Sequence, residues 1–188
     1  MDNFEIEIKI PIEDPEKIRK DLLTMGFQKY QKVTEEDMYY NSEYHDVRKH
    51  DEALRIRKTR DLLTGKTRAQ INFKGKKIDQ ISMSRQEYET GIEDPERMEK
   101  ILGAIGFARV AGVRKIRDYL YNGEMTACLD QVENLGDFLE LEVLVRNEKL
   151  REGCLSQMDE ILQKLGLSMD NTVRTSYLSM LMSKEKVK

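Results

Sequence analysis

Residues 4–12 read FEIEIKIPI, and Phe4, Ile6, Ile8 and Ile10 alternate with Glu5, Glu7 and Lys9. That is the period-two pattern of a strand with one apolar and one charged face. Similar alternation predicts eight strands, near 3–11, 27–41, 52–60, 67–75, 81–90, 107–122, 124–132 and 137–145. Elsewhere the apolar positions recur at helical spacing. Asp14 caps a first helix with Pro15 at its first position, and Ile18, Leu22 and Leu23 form its stripe before Gly26. Asp94-Pro95 opens a second, striped by Met98, Ile101, Leu102 and Ile105. A third runs from Lys149 to Leu165, and TSYLSMLM at 175–182 predicts a short amphipathic helix, a packing element or plug. Residues 183–188 read as a frayed tail.

The chain repeats itself. IEDPE occurs at 12–16 and 92–96, LLTMGF at 22–27 matches ILGAIGF at 101–107, and DMYYN at 37–41 matches DYLYN at 118–122. A Glu-x-Glu strand precedes each copy, at 5–7 and 87–89, and a weaker third copy runs from ELE at 140–142 to ILQKLGL at 161–167. Turn signals at Thr64-Gly65 and Asn122-Gly123 join neighbouring strands as hairpins. Hairpin-linked short strands favour an antiparallel sheet, and closing it removes its edges. The expected fold is α+β: an eight-stranded antiparallel closed β-barrel with helices packed outside.

The 188 residues suffice for one substantial core. Lys and Arg number 32 against 35 Asp and Glu, a net charge of −3, which argues against a non-specific nucleic-acid binder. Two cysteines without a CxxC indicate neither a disulfide framework nor a zinc cluster. His45 and His50 lie in a polar stretch read as a solvated loop at an entrance, 42–50, where they and Arg48 are within reach of substrate. No apolar run reaches the ~20 residues of a membrane span, and the N-terminus has no signal pattern. A soluble, cytoplasmic protein is expected.

The charged faces carry the chemistry. Arg55 and Arg57 share one face of their strand, Lys74 faces away from Ile71 and Phe73, and Lys115 and Arg117 share another face. Glu140 and Glu142 lie opposite Leu139 and Leu141, and Asp130 opposite Leu129. Any one such strand reads as a sheet with its polar face in water. Taken together, with helices needing an apolar outer surface to pack on, they place both signs of charge inside the barrel. Clustered Arg and Lys suit phosphate oxygens, and clustered carboxylates suit a hard divalent cation. Both in one cavity suit a polyphosphate with its metal.

EIEIK at 5–9 resembles the ExExK signature of the CYTH, or triphosphate tunnel metalloenzyme, superfamily. DEALRIRK at 51–58, FKG at 73–75, QEYE at 86–89, KIRD at 115–118 and LDQVENLGDFLELE at 129–142 follow in the family's order. The resemblance spans 1–182 as one tunnel domain and is greatest to the CyaB-type class IV adenylate cyclases. It implies that Lys9, Arg55, Arg57, Lys74, Lys115 and Arg117 hold a triphosphate. It also implies that Glu5, Glu7, Asp130, Glu140 and Glu142 ligate Mg²⁺ or Mn²⁺. Glu5, Glu7, Lys9, Asp130 and Glu140 are the implied catalytic set, with Glu87 and Tyr39 as additional candidates and Arg85 and Glu89 as rim residues. The implied reaction converts ATP to cyclic AMP and pyrophosphate. Its alternatives are an inorganic or thiamine triphosphatase and a non-catalytic nucleotide-binding module. The family also points to a homodimer.

Overall fold

In the computed structural model, residues 4–77 and 83–185 are described. The eight strands are β1 (Phe4–Ile12), β2 (Gln28–Ser42), β3 (Ala53–Asp61), β4 (Thr67–Lys77), β5 (Arg85–Ile92), β6 (Phe107–Asn122), β7 (Met125–Val132) and β8 (Gly136–Val145). They close in the order β1-β5-β4-β3-β2-β6-β7-β8, every neighbouring pair antiparallel, which is the expected barrel. Exchanging β1 with β5, β2 with β6, β3 with β7 and β4 with β8 maps this ring onto itself. The sequence repeat is therefore a pseudo-two-fold relation between two halves of the barrel.

Helices α1 (Pro15–Thr24) and α2 (Pro95–Ala104) occupy equivalent places in the two halves, between β1 and β2 and between β5 and β6. Each starts where an Asp carboxylate, Asp14 or Asp94, accepts a backbone N–H three residues on, followed by Pro. Each is followed by a glycine at φ +92°, Gly26 or Gly106, a left-handed conformation that a side chain would strain. Helix α3 (Arg151–Lys164) follows β8, and α4 (Tyr177–Glu185) ends the described chain. The predicted frayed tail thus begins as helix: α4 runs on through Glu185, and 186–188 lie outside the described residues, as do 81–82 at the predicted start of β5. The β6–β7 turn sits one residue later than expected. Asn122 still pairs with Met125, so the two-residue connection is Gly123-Glu124, with Gly123 at φ +61°.

The main core lies outside the barrel. Ile6, Ile8 and Ile10 of β1 and Leu139 and Leu141 of β8 are buried beneath Leu22 of α1 and Met158 and Leu162 of α3. A smaller cluster seats Leu102 of α2 on Tyr40 and Ile56, leaving Ile101 and Ile105 exposed. With the apolar faces committed outward, the alternating charged positions point into the barrel. Both cysteines are free thiols, and no helix among the described residues is long and apolar enough to cross a membrane.

Leu22 has no exposed surface and joins α1 to the β1–β8 face. Leu22→Ala should cost about 2–5 kcal/mol, the range for a buried leucine truncated in a packed core, read from the urea midpoint. A loss below about 1 kcal/mol would mean that α1 does not anchor on this face.

Candidate active site

The barrel encloses a cavity of about 1080 Å³. Register fixes its two mouths. Tyr30, Gln31, Arg68, Gln70 and Tyr121 line one, at the ends of β2, β3, β4 and β6 where Gln28 pairs with Tyr121 and Arg60 with Thr67. The other is lined by Arg48, Asp51, Glu52 and Arg85 and is capped by the segment 174–179. Val173 N–H donates to the Lys9 carbonyl at 2.8 Å, and the Tyr177 ring packs edge-on against Phe138. Lys9 Nζ lies 4.3 Å from the Tyr177 ring centre, a cation–π contact that ties this cap to the charged interior.

Between the mouths, six cations (Lys9, Arg55, Arg57, Lys74, Lys115 and Arg117) face eight carboxylates, in or just behind the cavity wall. The carboxylates divide into two kinds. Asp130 receives Lys115 Nζ at 2.8 Å, Arg117 Nε at 2.6 Å and the Tyr177 hydroxyl at 3.0 Å. Arg117 also reaches Glu140, and Lys9 lies 3.8 Å from that carboxylate. Asp37 takes a forked pair from Arg57 at 2.6 and 2.7 Å, and Glu35 receives Arg57 Nη1 at 2.9 Å. Burial opposes ionisation of Glu35, Asp37 and Glu140. Arg57, Lys115 and Arg117 nevertheless hold Glu35 down to about 2, and Arg117, Lys115 and Lys9 keep Glu140 well below the usual carboxylate range.

The second kind lies across β1 and β8. Glu7 and Glu142 are directly opposed in the antiparallel register, a like-charge pair that destabilises a sheet. Among the described residues neither forms an ion pair. Burial, then neighbouring Glu140 and Glu142, raise the Glu7 carboxyl. Burial and Glu5 raise Glu142 to about 7. Glu5 is raised to about 8, by burial and by Glu87 and Glu7, although Lys74 Nζ donates to it at 2.6 Å. Lys74 also bridges to Glu87 at 3.1 Å.

Every position predicted for the site is therefore in or behind the cavity wall, in two groups: Glu5, Glu7, Glu140 and Glu142 along β1 and β8, and Asp130 within the cations. Glu87 sits on Lys74, Tyr39 lines the wall, and Arg85 spends its guanidinium on backbone carbonyls of Met83, Asp51 and Gly75. Glu89 accepts from Gln70 at 2.6 Å. Sequence reasoning missed Glu35, Asp37, Asn72, Tyr119 and Tyr177. Glu35 and Glu36 are adjacent acids in a strand with two register shifts, so alternation alone did not say which faced in. The matching Asp37 and Asp118 of the repeat end on opposite faces, Asp37 on Arg57 and Asp118 on Arg19 of α1 at 2.7 Å.

The CYTH domain model matches residues 3–177. The chain belongs to the CYTH family. It is 40% identical over 177 residues to a protein of Methanocaldococcus jannaschii named "Putative adenylate cyclase", covering 94% of this chain and 98% of that one. It is 28% identical over 86 residues to the adenylate cyclase CyaB of Aeromonas hydrophila, covering 46% of this chain and 45% of that one. Among solved structures, the PH1819 protein of Pyrococcus horikoshii superposes with a TM-score of 0.86 at 34% identity, over 96% of this chain and 99% of that one.

The CYTH tunnel of this chain also passes a chemical test for a divalent ion. Its β1–β8 patch offers only carboxylate oxygens, suited to a hard cation, and its most strained members, Glu7 and Glu142, have no cation of their own.

The displaced carboxyls set a pH dependence. Glu5 and Glu142 hold protons in the folded state that the unfolded chain has released above about pH 4.5. Metal-free stability should therefore fall as pH rises from about 5 to about 8. Glu35 and Glu140, displaced downward, contribute stability that is lost only as pH falls below about 4.5. Melting temperatures in EDTA should decline between pH 5 and 8, and added Mg²⁺ should raise them more at pH 8 than at pH 6. A flat profile, or an equal Mg²⁺ effect at both pH values, would contradict the repulsion assigned to this patch.

Proposed function

We propose that this CYTH protein is a metal-dependent adenylate cyclase of the CyaB type, converting ATP to cyclic AMP and pyrophosphate. The observation that carries the reading is an arc of cations beside the facing carboxylates Glu7 and Glu142, which form no ion pair among the described residues. A triphosphate that arrives with divalent cations answers both parts: its oxygens meet the cationic arc, and its metal supplies the positive charge that Glu7 and Glu142 lack.

In this reading Arg55, Arg57, Lys74, Lys115, Arg117 and Lys9 bind the phosphate oxygens. Arg55 Nε has no hydrogen-bond partner among the described residues although buried, and neither has Thr59 Oγ1 on the same strand. Arg55 lines the cavity, so its Nε is a donor left for a ligand, because a buried donor without an acceptor is costly. Glu5, Glu7, Glu140 and Glu142 would hold Mg²⁺ or Mn²⁺, which when bound neutralises phosphate charge and polarises the attacking oxygen. Asp130 holds Lys115 and Arg117 in place for the phosphates. The aromatic mouth at Tyr30 and Tyr121, whose rings meet edge to face at 4.9 Å, leaves an apolar surface for a nucleoside. The ATP 3′-hydroxyl then loses its proton to solvent as its oxygen bonds to the α-phosphorus in line, and the bond from that phosphorus to the oxygen shared with the β-phosphate breaks. Pyrophosphate leaves into the cationic arc, which stabilises its charge.

The same cradle accommodates a triphosphate without a nucleoside, so the assay must separate the two outcomes. Purified protein with Mg²⁺ or Mn²⁺ and ATP should yield cyclic AMP and pyrophosphate in equal amounts. Orthophosphate without cyclic AMP, from ATP, inorganic triphosphate or thiamine triphosphate, would replace the cyclase reading with a triphosphatase. Glu7→Gln should lower turnover by about 10² or more, the scale for losing one preorganised electrostatic group, without lowering the melting temperature. Full activity in this variant would refute the metal assignment.

A further inference from the structure

At the rim of the tunnel, the segment between β2 and β3 brings three metal-binding side chains together. The ligand atoms of His45, His50 and Glu52 lie within 4.8 Å of one another. The two imidazoles stack in parallel, with centroids 4.8 Å apart and planes at 1°. His45 Nε2 sits 2.6 Å from Glu52 Oε2. His50 Nδ1 lies 2.8 Å from the Asp46 carbonyl, which can only accept, so that nitrogen carries the proton and Nε2 keeps its lone pair. A backbone carbonyl on one ring nitrogen, leaving the other free, is the usual outer support of a metal-binding histidine.

The backbone fixes this grouping before any ion arrives. Asp51 adopts φ +57°, uncommon for a residue other than glycine, in the bend between His50 and Glu52. Glu52 N–H donates to the Val47 carbonyl at 2.7 Å, and Val47 is buried. Lys77 clamps Asp51 from β4, with its backbone N–H and its Nζ both on that carboxylate. Glu52 is thereby delivered beside His45 from the far side of the turn.

We infer that His45, His50 and Glu52 form a second metal site, at the tunnel mouth, for a borderline divalent ion such as Zn²⁺, Co²⁺ or Ni²⁺. Two imidazole nitrogens and one carboxylate oxygen match that class, whereas the tunnel offers oxygen alone. A metal lies in the plane of each ring that binds it, so one imidazole swings out of the stack on binding. Both rings are exposed and free to do so. The remaining coordination positions face solvent. Glu52 also lines the tunnel cavity, so an ion here pins the segment 43–52 to the rim through which the interior is reached. This site does not depend on which reaction the tunnel performs.

The chain contains only these two histidines, so imidazole signals report this site alone. In the untagged, ¹⁵N-labelled chain at pH 7.5, ZnCl₂ should shift both imidazole signals, and MgCl₂ should move neither. In His50→Ala, the His45 response to zinc should be lost or strongly weakened. Imidazole signals unmoved by excess zinc would overturn the site. So would a His45 signal that responds as strongly in His50→Ala as in the unmodified chain.

Discussion

A charge enclosed without a partner costs several kcal/mol, and among the described residues this barrel encloses six cations and eight carboxylates between its mouths. The rest of the structure is arranged around that constraint. The strands turn their apolar positions outward because helices cover them there, and the polar alternates have nowhere to go but in. Most of the enclosed charge is then cancelled locally: Arg57 on Asp37 and Glu35, Arg117 on Asp130 and Glu140, Lys74 on Glu5 and Glu87. What is not cancelled is concentrated at Glu7 and Glu142, which face each other across β1 and β8. The site is the remainder of an otherwise balanced account of buried charge.

The pseudo-two-fold relation shows how that remainder is built. The halves share topology, but outside the pair β1 and β5, which both carry inward glutamates, their inward charges are of opposite sign. β2 contributes Glu35 and Asp37 where its counterpart β6 contributes Lys115 and Arg117. β3 and β4 contribute Arg55, Arg57 and Lys74 where β7 and β8 contribute Asp130, Glu140 and Glu142. One repeated unit therefore produces a cavity that is basic along one side and acidic along another. Such a cavity is suited to a ligand that brings anion and cation together. The family membership of the chain agrees with this reading of its interior.

Much of this was legible in the sequence. Period-two alternation placed all eight strands because polar and apolar positions alternate along them, and the Asp-Pro starts and glycine stops marked α1 and α2 within a residue or two. The direction of the charged faces was also legible, since helices require an apolar surface to pack on. What escaped was whatever depends on register and on the chain's far end. The bulged strand β2 concealed the inward pair Glu35 and Asp37. Tyr177 reaches Asp130 from 47 residues away, a contact that no local pattern encodes. The division of the carboxylates into paired and unpaired sets was equally hidden. It follows from which strands become neighbours on closure, and β1 meets β8 only when the ring is complete.

We infer that the cavity becomes a tight triphosphate site when divalent cations occupy Glu7, Glu142 and the neighbouring carboxylates. Calorimetric titration with inorganic triphosphate, in EDTA and then in Mg²⁺, tests it most directly. Binding should be weak or undetectable in EDTA and much tighter with Mg²⁺. Equally tight binding in EDTA would mean that the cations suffice by themselves and that Glu7 and Glu142 serve some other purpose.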